Sequence, residues 1–101
     1  MNKFYYEFNE NEYYGLITVS VDKDDLYTKP YKKAAEIYAQ QIGGESAESV
    51  LSEAMPNERT KEFAFMKFAY AHDTLPYTVD KIIKGFEITE NSTLLIDGSL
   101  I

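Results

Sequence analysis

The chain has 101 residues and a net charge of −7 at pH 7, from 17 carboxylates against 10 lysine and arginine side chains. It contains no cysteine, which excludes disulfides, thiolate nucleophiles and zinc-finger ligand sets. Hydrophobic residues make up 45% of the sequence, enough for a core, and the length predicts a single domain over residues 1–101.

A β-hairpin is predicted at the start of the chain. Aromatic residues occupy every second position over residues 4–8, which is the period of a strand with one buried face. Residues 13–21 are rich in β-branched and aromatic residues and are predicted to form a second strand. The polar segment 9–12 between them is typical of a turn, so the strands should pair antiparallel, with Gly15 as a candidate bulge.

Two helices are predicted in the middle of the chain. Residues 30–42 carry apolar side chains at helical spacing and begin with a proline, which suits a first turn, and Thr28 is the expected cap. Gly43–Gly44 should end this helix. A shorter helix is predicted over residues 46–55, because a proline follows it.

Segment 58–71 gives conflicting signals. Its aromatic residues favour a strand, whereas its alanines and methionine favour a helix. We expect a helix with Asn57 as its N-cap. Apolar side chains lie on nearly all sides of this helix, which predicts either a buried central helix or a subunit interface. The residues of the candidate interface are Phe63, Phe65, Phe68 and Tyr70.

The last predicted elements are a helix and a strand. The helix follows Pro76 and has an apolar stripe that ends near Gly85, and Asp97–Gly98 is a tight-turn signal after the strand. Residues 93–96 are too apolar for an unpaired strand and should join the hairpin. The predicted fold class is therefore α+β, with the N-terminal β-hairpin and the C-terminal strand forming a small antiparallel sheet packed against three to four helices.

Acidic and tyrosine side chains near the hairpin form the main candidate binding surface. Tyrosine is enriched at binding surfaces because it offers apolar area and a hydroxyl at a low cost in conformational entropy. If the carboxylates share one end or face of the sheet, they form an acidic patch that suits a basic groove on a partner. The residues predicted to bind are Glu10, Glu12, Tyr13, Tyr14, Asp22, Asp24 and Asp25.

Other chemical motifs are weak. The segment 22–25 begins like a calcium-binding EF-hand loop, but Tyr27 replaces the required glycine and Lys33 replaces the bidentate glutamate. His72 beside Asp73 could form a general base, yet no nucleophile motif accompanies the pair. No phosphate-binding glycine loop is present, and a DNA-binding helix-turn-helix would need a basic recognition helix. We therefore expect no catalytic residue, no metal site and no cofactor.

We hypothesise that the chain is a non-enzymatic, regulatory interaction protein. As an inhibitor, it would occupy a basic, nucleic-acid-type groove on a protein partner. The alternative is a structural or assembly protein that forms a homodimer through residues 63–70. The negative charge argues against direct nucleic-acid binding and against an anionic membrane surface. The sequence starts without a secretory signal and has no long apolar run, which predicts a cytoplasmic protein without a membrane span.

Overall fold

A computed structural model gives the fold for residues 2–25, 27–71 and 79–96. Within these residues the chain forms four strands and four helices. In chain order they are β1 (Asn2–Phe8), β2 (Gly15–Val21), α1 (Pro30–Gln41), α2 (Ala47–Glu53), β3 (Asn57–Arg59), α3 (Lys61–Ala71), α4 (Val79–Ile88) and β4 (Ser92–Ile96).

The strands form one antiparallel sheet in the order β3-β1-β2-β4. The N-terminal hairpin lies in the middle, with Asn2 opposite Val21 and Phe8 opposite Gly15. β3 pairs with β1, and β4 pairs with the other side of β2. The predicted addition of the C-terminal strand to the hairpin is confirmed, and so is the α+β class.

One face of the sheet is covered by α1 and α2. Alternate strand residues point to this side, where Phe4, Tyr6 and Phe8 of β1 meet Ile17, Val19 and Val21 of β2. A side-chain Cβ on Gly15 would collide with Ile42 and lie 3.3 Å from the Tyr38 ring, so glycine lets α1 approach β2 closely.

The opposite face of the sheet is covered by α3 and α4. Here Tyr5 of β1, Leu16 of β2 and Leu94 of β4 pack with Ala64 and Phe86 from the two helices. The Tyr5 and Phe86 rings are stacked with centroids 5.5 Å apart. The sheet therefore lies between two helical layers, each built from a pair of helices that are neighbours in the chain.

The helix predictions for the first half of the chain are largely confirmed. Pro30 is the first residue of α1, and the chain turns out of this helix through Gly44, whose φ is +128°. The cap position is Lys29 and not Thr28, and no side chain caps the helix. Ser46 caps α2 by accepting a hydrogen bond from the Ser49 N–H at 3.2 Å.

The ambiguous segment is a helix, but its first part was predicted wrongly. Residues 57–59 form a short strand, because β1 presents an unpaired edge there, and α3 begins only at Lys61. Thr60, not Asn57, caps α3, since its hydroxyl accepts from the Phe63 N–H at 3.1 Å. The prediction of a buried central helix is also wrong, because Ala64 is the one buried residue of α3.

The remaining differences are small. α4 continues past Gly85 to Ile88. The irregular pairing of β2 with β4 lies between Leu16 and Ile17, one residue beyond the predicted bulge at Gly15. The predicted turn at Asp97–Gly98 lies outside the described residues. None of the helices within residues 2–25, 27–71 and 79–96 has the length and apolar character needed to cross a bilayer.

Candidate interaction surfaces

The predicted acidic patch is split between opposite ends of the hairpin. Glu10 and Glu12 lie in the turn between β1 and β2, whereas residues 22–25 follow the far end of β2. A strand of seven residues spans about 20 Å, so the two groups cannot form one surface. The single acidic patch is therefore a wrong prediction, and Glu10 and Glu12 must be considered apart from Asp22, Asp24 and Asp25.

The turn of the hairpin is held against α1 and α2. The Tyr38 hydroxyl donates to the Tyr13 carbonyl at 2.6 Å and accepts from the Tyr13 N–H at 3.2 Å. Burial is the main reason that the pKa of Tyr38 is raised, although its hydrogen bond to Tyr13 acts in the opposite direction. The Asn11 side-chain amide also donates to the Val50 carbonyl at 3.0 Å. These bonds fix the backbone of residues 11–13 rather than leaving it as a free loop.

A small acidic cleft lies beside this turn. The Glu12 N–H donates to the Glu53 carboxylate at 2.9 Å, which holds the Glu53 side chain against the backbone of the turn, and both residues line the cleft. Tyr13 and Tyr38 line the same cleft, whose volume is about 80 Å³. We call Glu10, Glu12, Tyr13 and Glu53 the acidic end. The contribution of Glu53 was missed, because sequence alone does not show that α2 reaches the turn.

Two of the aspartates after β2 accept hydrogen bonds from within their own turn. The Asp25 carboxylate accepts hydrogen bonds from the N–H groups of Tyr27 and Thr28, both at 2.9 Å, and from the Thr28 hydroxyl. The hydrogen bond from the Thr28 hydroxyl is the main reason that the pKa of Asp25 is lowered. Asp22 accepts from the Asp24 N–H at 3.1 Å. Three lysines at the start of α1 follow in sequence, so this region carries charges of both signs.

The other predicted side chains near the hairpin also have structural contacts. Tyr14 lies on the α3–α4 side of the sheet, where its hydroxyl donates to Glu7 at 2.8 Å. Glu7 is buried and also pairs with Arg59, the single arginine of the chain, with the Arg59 Nη2 and Glu7 Oε1 atoms 2.8 Å apart. Both carboxylate oxygens of Glu7 are therefore engaged, and this group links β1, β3 and the start of β2.

The four aromatic residues of the alternative interface have different environments. Phe65 and Phe68 pack against the Phe86 ring, with centroid separations of 5.2 and 5.7 Å. The Phe63 ring is contacted by Arg59 at 4.8 Å and by Lys67 at 5.7 Å. Tyr70 is 85% exposed. The structure thus places Tyr70 on the outer surface, whereas Phe65 and Phe68 are both partly buried against Phe86.

An apolar groove runs between α3 and α4 on their outer side. Part of it has a volume of about 400 Å³ and is almost entirely apolar in its lining. The exposed fractions are 59% for Met66, 71% for Val79 and 43% for Ile83. We call this surface the α3–α4 face; its residues are Phe65, Met66, Ala69, Tyr70, Val79, Ile82 and Ile83.

Sequence reasoning missed the α4 half of this face. Val79 and Ile83 belong to the apolar stripe of the predicted helix, but only Ile82 and Phe86 of the described part of that stripe are buried. So many apolar positions in one helix indicate a second contact surface in addition to the side that faces the sheet. The helical period cannot show which of these residues face the sheet, because that depends on how α3 packs beside α4.

Among the described residues, no cluster of three or more histidine, aspartate or glutamate side chains could hold a metal ion. The candidate general base at His72 and Asp73 lies outside the described residues. Two surfaces of the described residues have exposed groups suited to contact with a partner: the α3–α4 face and the acidic end.

Comparison with protein families identifies one match. The family model of the YosH C-terminal domain matches residues 3–95, a range that begins in β1 and ends in β4. Comparison with curated proteins and with solved structures finds no match. Because the family model covers the sheet and both helical layers, this chain belongs to the YosH C-terminal domain family.

Proposed function

We propose that this domain is a non-enzymatic protein-interaction module that contacts its partner through the α3–α4 face. The observation that carries the proposal is the exposure of Met66, Tyr70 and Val79 together along one groove. Single exposed apolar residues are normal on soluble proteins, but a contiguous patch of several hundred Å² is typical of interaction sites. This function corresponds to the assembly hypothesis more closely than to the acidic-inhibitor hypothesis.

The electrostatic character of the face supports contact with protein. Four lysines against three acidic residues leave α3 and α4 together at +1, in a chain whose net charge is −7. Fully buried interface centres are depleted in charge and enriched in aromatic residues and methionine. The α3–α4 face has this composition, with Phe65, Met66 and Tyr70 between charged residues.

Capture from a host extract tests the proposal with a matched pair of variants. Met66 and Met55 are 59% and 54% exposed, but Met55 lies between α2 and β3, away from the face. We expect M66K to abolish capture of a specific partner and M55K to retain it. Retention should persist at high salt, because apolar contact is not screened. Equal capture by the two variants would contradict the proposal.

A second candidate function is contact with a basic partner through the acidic end. Glu12 and Glu53 line the cleft together with the exposed Tyr13, and this combination favours a lysine or arginine side chain there. Such binding should weaken as salt increases and should be lost in the double variant Glu12→Gln with Glu53→Gln. Asp22→Asn with Asp24→Asn is the matched control, because those carboxylates lie at the other end of the hairpin.

A further inference from the structure

We infer that the partner of the α3–α4 face is a second copy of this chain, related by a two-fold axis. This inference rests on the proposed function and specifies its partner. In the resulting dimer, α3 and α4 of one protomer pack against α3 and α4 of the other, so that a layer of four helices separates two sheets.

The first argument is the symmetry of the face. α3 and α4 run antiparallel: the Lys61 ammonium pairs with the Glu87 carboxylate at 3.3 Å at one end, and Tyr70 and Val79 line the groove together at the other. An antiparallel helix pair has a similar backbone outline after a rotation of 180°, so a second copy can dock with its helices aligned to the first, and two-fold dimers are the commonest protein assemblies. Two such pairs packed face to face give the helix arrangement of a four-helix bundle.

The second argument is electrostatic. Because α3 and α4 together carry +1, the rest of the chain carries −8. Two copies therefore repel each other through most of their surface, and the α3–α4 face, like α1 with its own net charge of +1, is a part where this repulsion is small. Its rim has lysines and carboxylates on both helices, so a rotated copy can place opposite charges together.

The third argument is that the two edges of the sheet are poor sites for self-association. β3 has three residues, which offers few backbone groups to a further strand. On β4, the Gln41 side-chain oxygen accepts hydrogen bonds from the Thr93 N–H at 3.0 Å and from the Thr93 hydroxyl at 2.7 Å. That N–H is therefore already paired, and strand addition there would have to displace Gln41.

The area of the face indicates a weak dimer. The exposed parts of Met66, Tyr70, Val79 and Ile83 amount to roughly 500 Å² of side-chain surface. A standard stable interface buries about 800 Å² on each partner. We therefore expect a concentration-dependent dimer with a dissociation constant on the order of 10–100 µM.

Sedimentation equilibrium of the purified chain over a range of concentrations tests this inference. The wild-type chain and M55K should dimerise with similar dissociation constants, and M66K should raise that constant at least about 10-fold. Salt should leave the wild-type dimer intact. A wild-type chain that stays monomeric at roughly 1 mM, or a dimer that M66K and M55K weaken equally, would overturn the inference.

Cysteine cross-linking provides a second measurement that does not depend on weakening the dimer. The chain has no cysteine, so a single introduced thiol can form a disulfide only with its own copy in the partner. Met66 and Ile83 lie near the middle of the face, where a two-fold axis brings each close to its symmetry mate. We expect M66C or I83C to form covalent dimers rapidly under mild oxidation, and M55C to do so slowly. Equal rates for the three variants would contradict the dimer.

These experiments separate the dimer from the broader proposal. If the wild-type chain is monomeric but M66K loses a captured partner that M55K retains, the face binds a different protein, and only the dimer is wrong. If M66K and M55K behave alike in sedimentation, cross-linking and capture, both the dimer and the proposed function are wrong.

Discussion

The two helical layers cover the sheet in different ways. On one side, α1 alone buries Ala34, Ala35, Ile37 and Tyr38 against the strands. On the other side, α3 buries only Ala64, and α4 buries Ile82 and Phe86. The sheet faces differ correspondingly, since the α1–α2 side is apolar, whereas the other side includes the buried polar residues Glu7, Thr18 and Ser20.

This difference indicates separate roles for the two layers: the α1–α2 layer stabilises the fold, and the outer side of the α3–α4 layer is proposed to contact partners. The α1–α2 side packs aromatic residues of β1 against alanines and branched residues in a continuous buried cluster, and the outer side of α1 exposes polar side chains. The side that is incompletely covered places large apolar residues on both surfaces of its helices. Substitutions in the first layer should mainly change the free energy of unfolding, while substitutions on the outside of the second layer should mainly change association.

The largest expected effect comes from truncating matched phenylalanines in the two layers. Phe8 is completely buried beside Tyr38, with ring centroids 4.8 Å apart, so Phe8→Ala should reduce the free energy of unfolding by about 3–5 kcal/mol. Phe65 is only partly buried, and Phe65→Ala should cost about 1–2 kcal/mol. Urea denaturation measures both values. Equal losses would show that the layers do not differ in their contribution to stability.

The next largest effect is expected at the ion pair on the α3–α4 side. Arg59→Met leaves the Glu7 carboxylate buried without its cationic partner, which should cost about 2–4 kcal/mol. The double variant Glu7→Met with Arg59→Met should recover part of this loss, because no charge then stays buried. Thermal denaturation of the single and double variants gives the comparison. A double variant less stable than Arg59→Met would contradict this explanation.

A smaller effect is expected at the contact between the hairpin turn and α1. Tyr38→Phe removes the hydroxyl that pairs with both the N–H and the carbonyl of Tyr13, and should cost about 1–2 kcal/mol. Tyr27→Phe serves as the control, because Tyr27 is 92% exposed and its change should stay within about 0.5 kcal/mol. Chemical denaturation measures both variants. A similar loss for both would show that the Tyr38 hydroxyl does not hold the turn.

The smallest effect at neutral pH concerns the tyrosines of β1. Burial, together with the neighbouring Glu58, raises the pKa of Tyr6 from 10.0 to about 12. Between pH 10 and 12 the unfolded chain therefore loses this proton before the folded chain does, and stability falls as pH rises, by up to about 1.4 kcal/mol per pH unit. Below pH 10 the shift has no effect. Tyr6→Phe should make the fall shallower in alkaline denaturation, and an unchanged slope would contradict the shift.

Much of the fold could be predicted because its signals are local. Alternating residues define β1 and β2, a proline and two glycines bound α1, and the apolar residues 93–96 require a strand partner. β3 could not be predicted, because Asn57–Arg59 has no strand composition and is extended only because β1 pairs with it. Because β1 imposes this pairing, residues 57–59 carry no strand pattern of their own.

The binding surfaces were less predictable than the fold, for two different reasons. The separation of Glu12 from Asp22 follows directly from hairpin connectivity, so that error came from ignoring strand direction. The α3–α4 face depends on how the two helices pack, and the pattern of α3 does not distinguish its inner side from its outer side. The prediction of an interface in segment 63–70 therefore named Tyr70 but also named Phe68, which contacts Phe86 in the core.

The central position of the N-terminal hairpin has a consequence for synthesis of the chain. The ribosome releases β1 and β2 first, and this pair can form at once because only a short turn joins them. The outer edge of β2, however, stays open until β4 has emerged some seventy residues later, since β4 is its second neighbour. A nascent polypeptide therefore exposes an unpaired strand edge while the residues between β2 and β4 are synthesised, and chaperone engagement should be strongest during that interval.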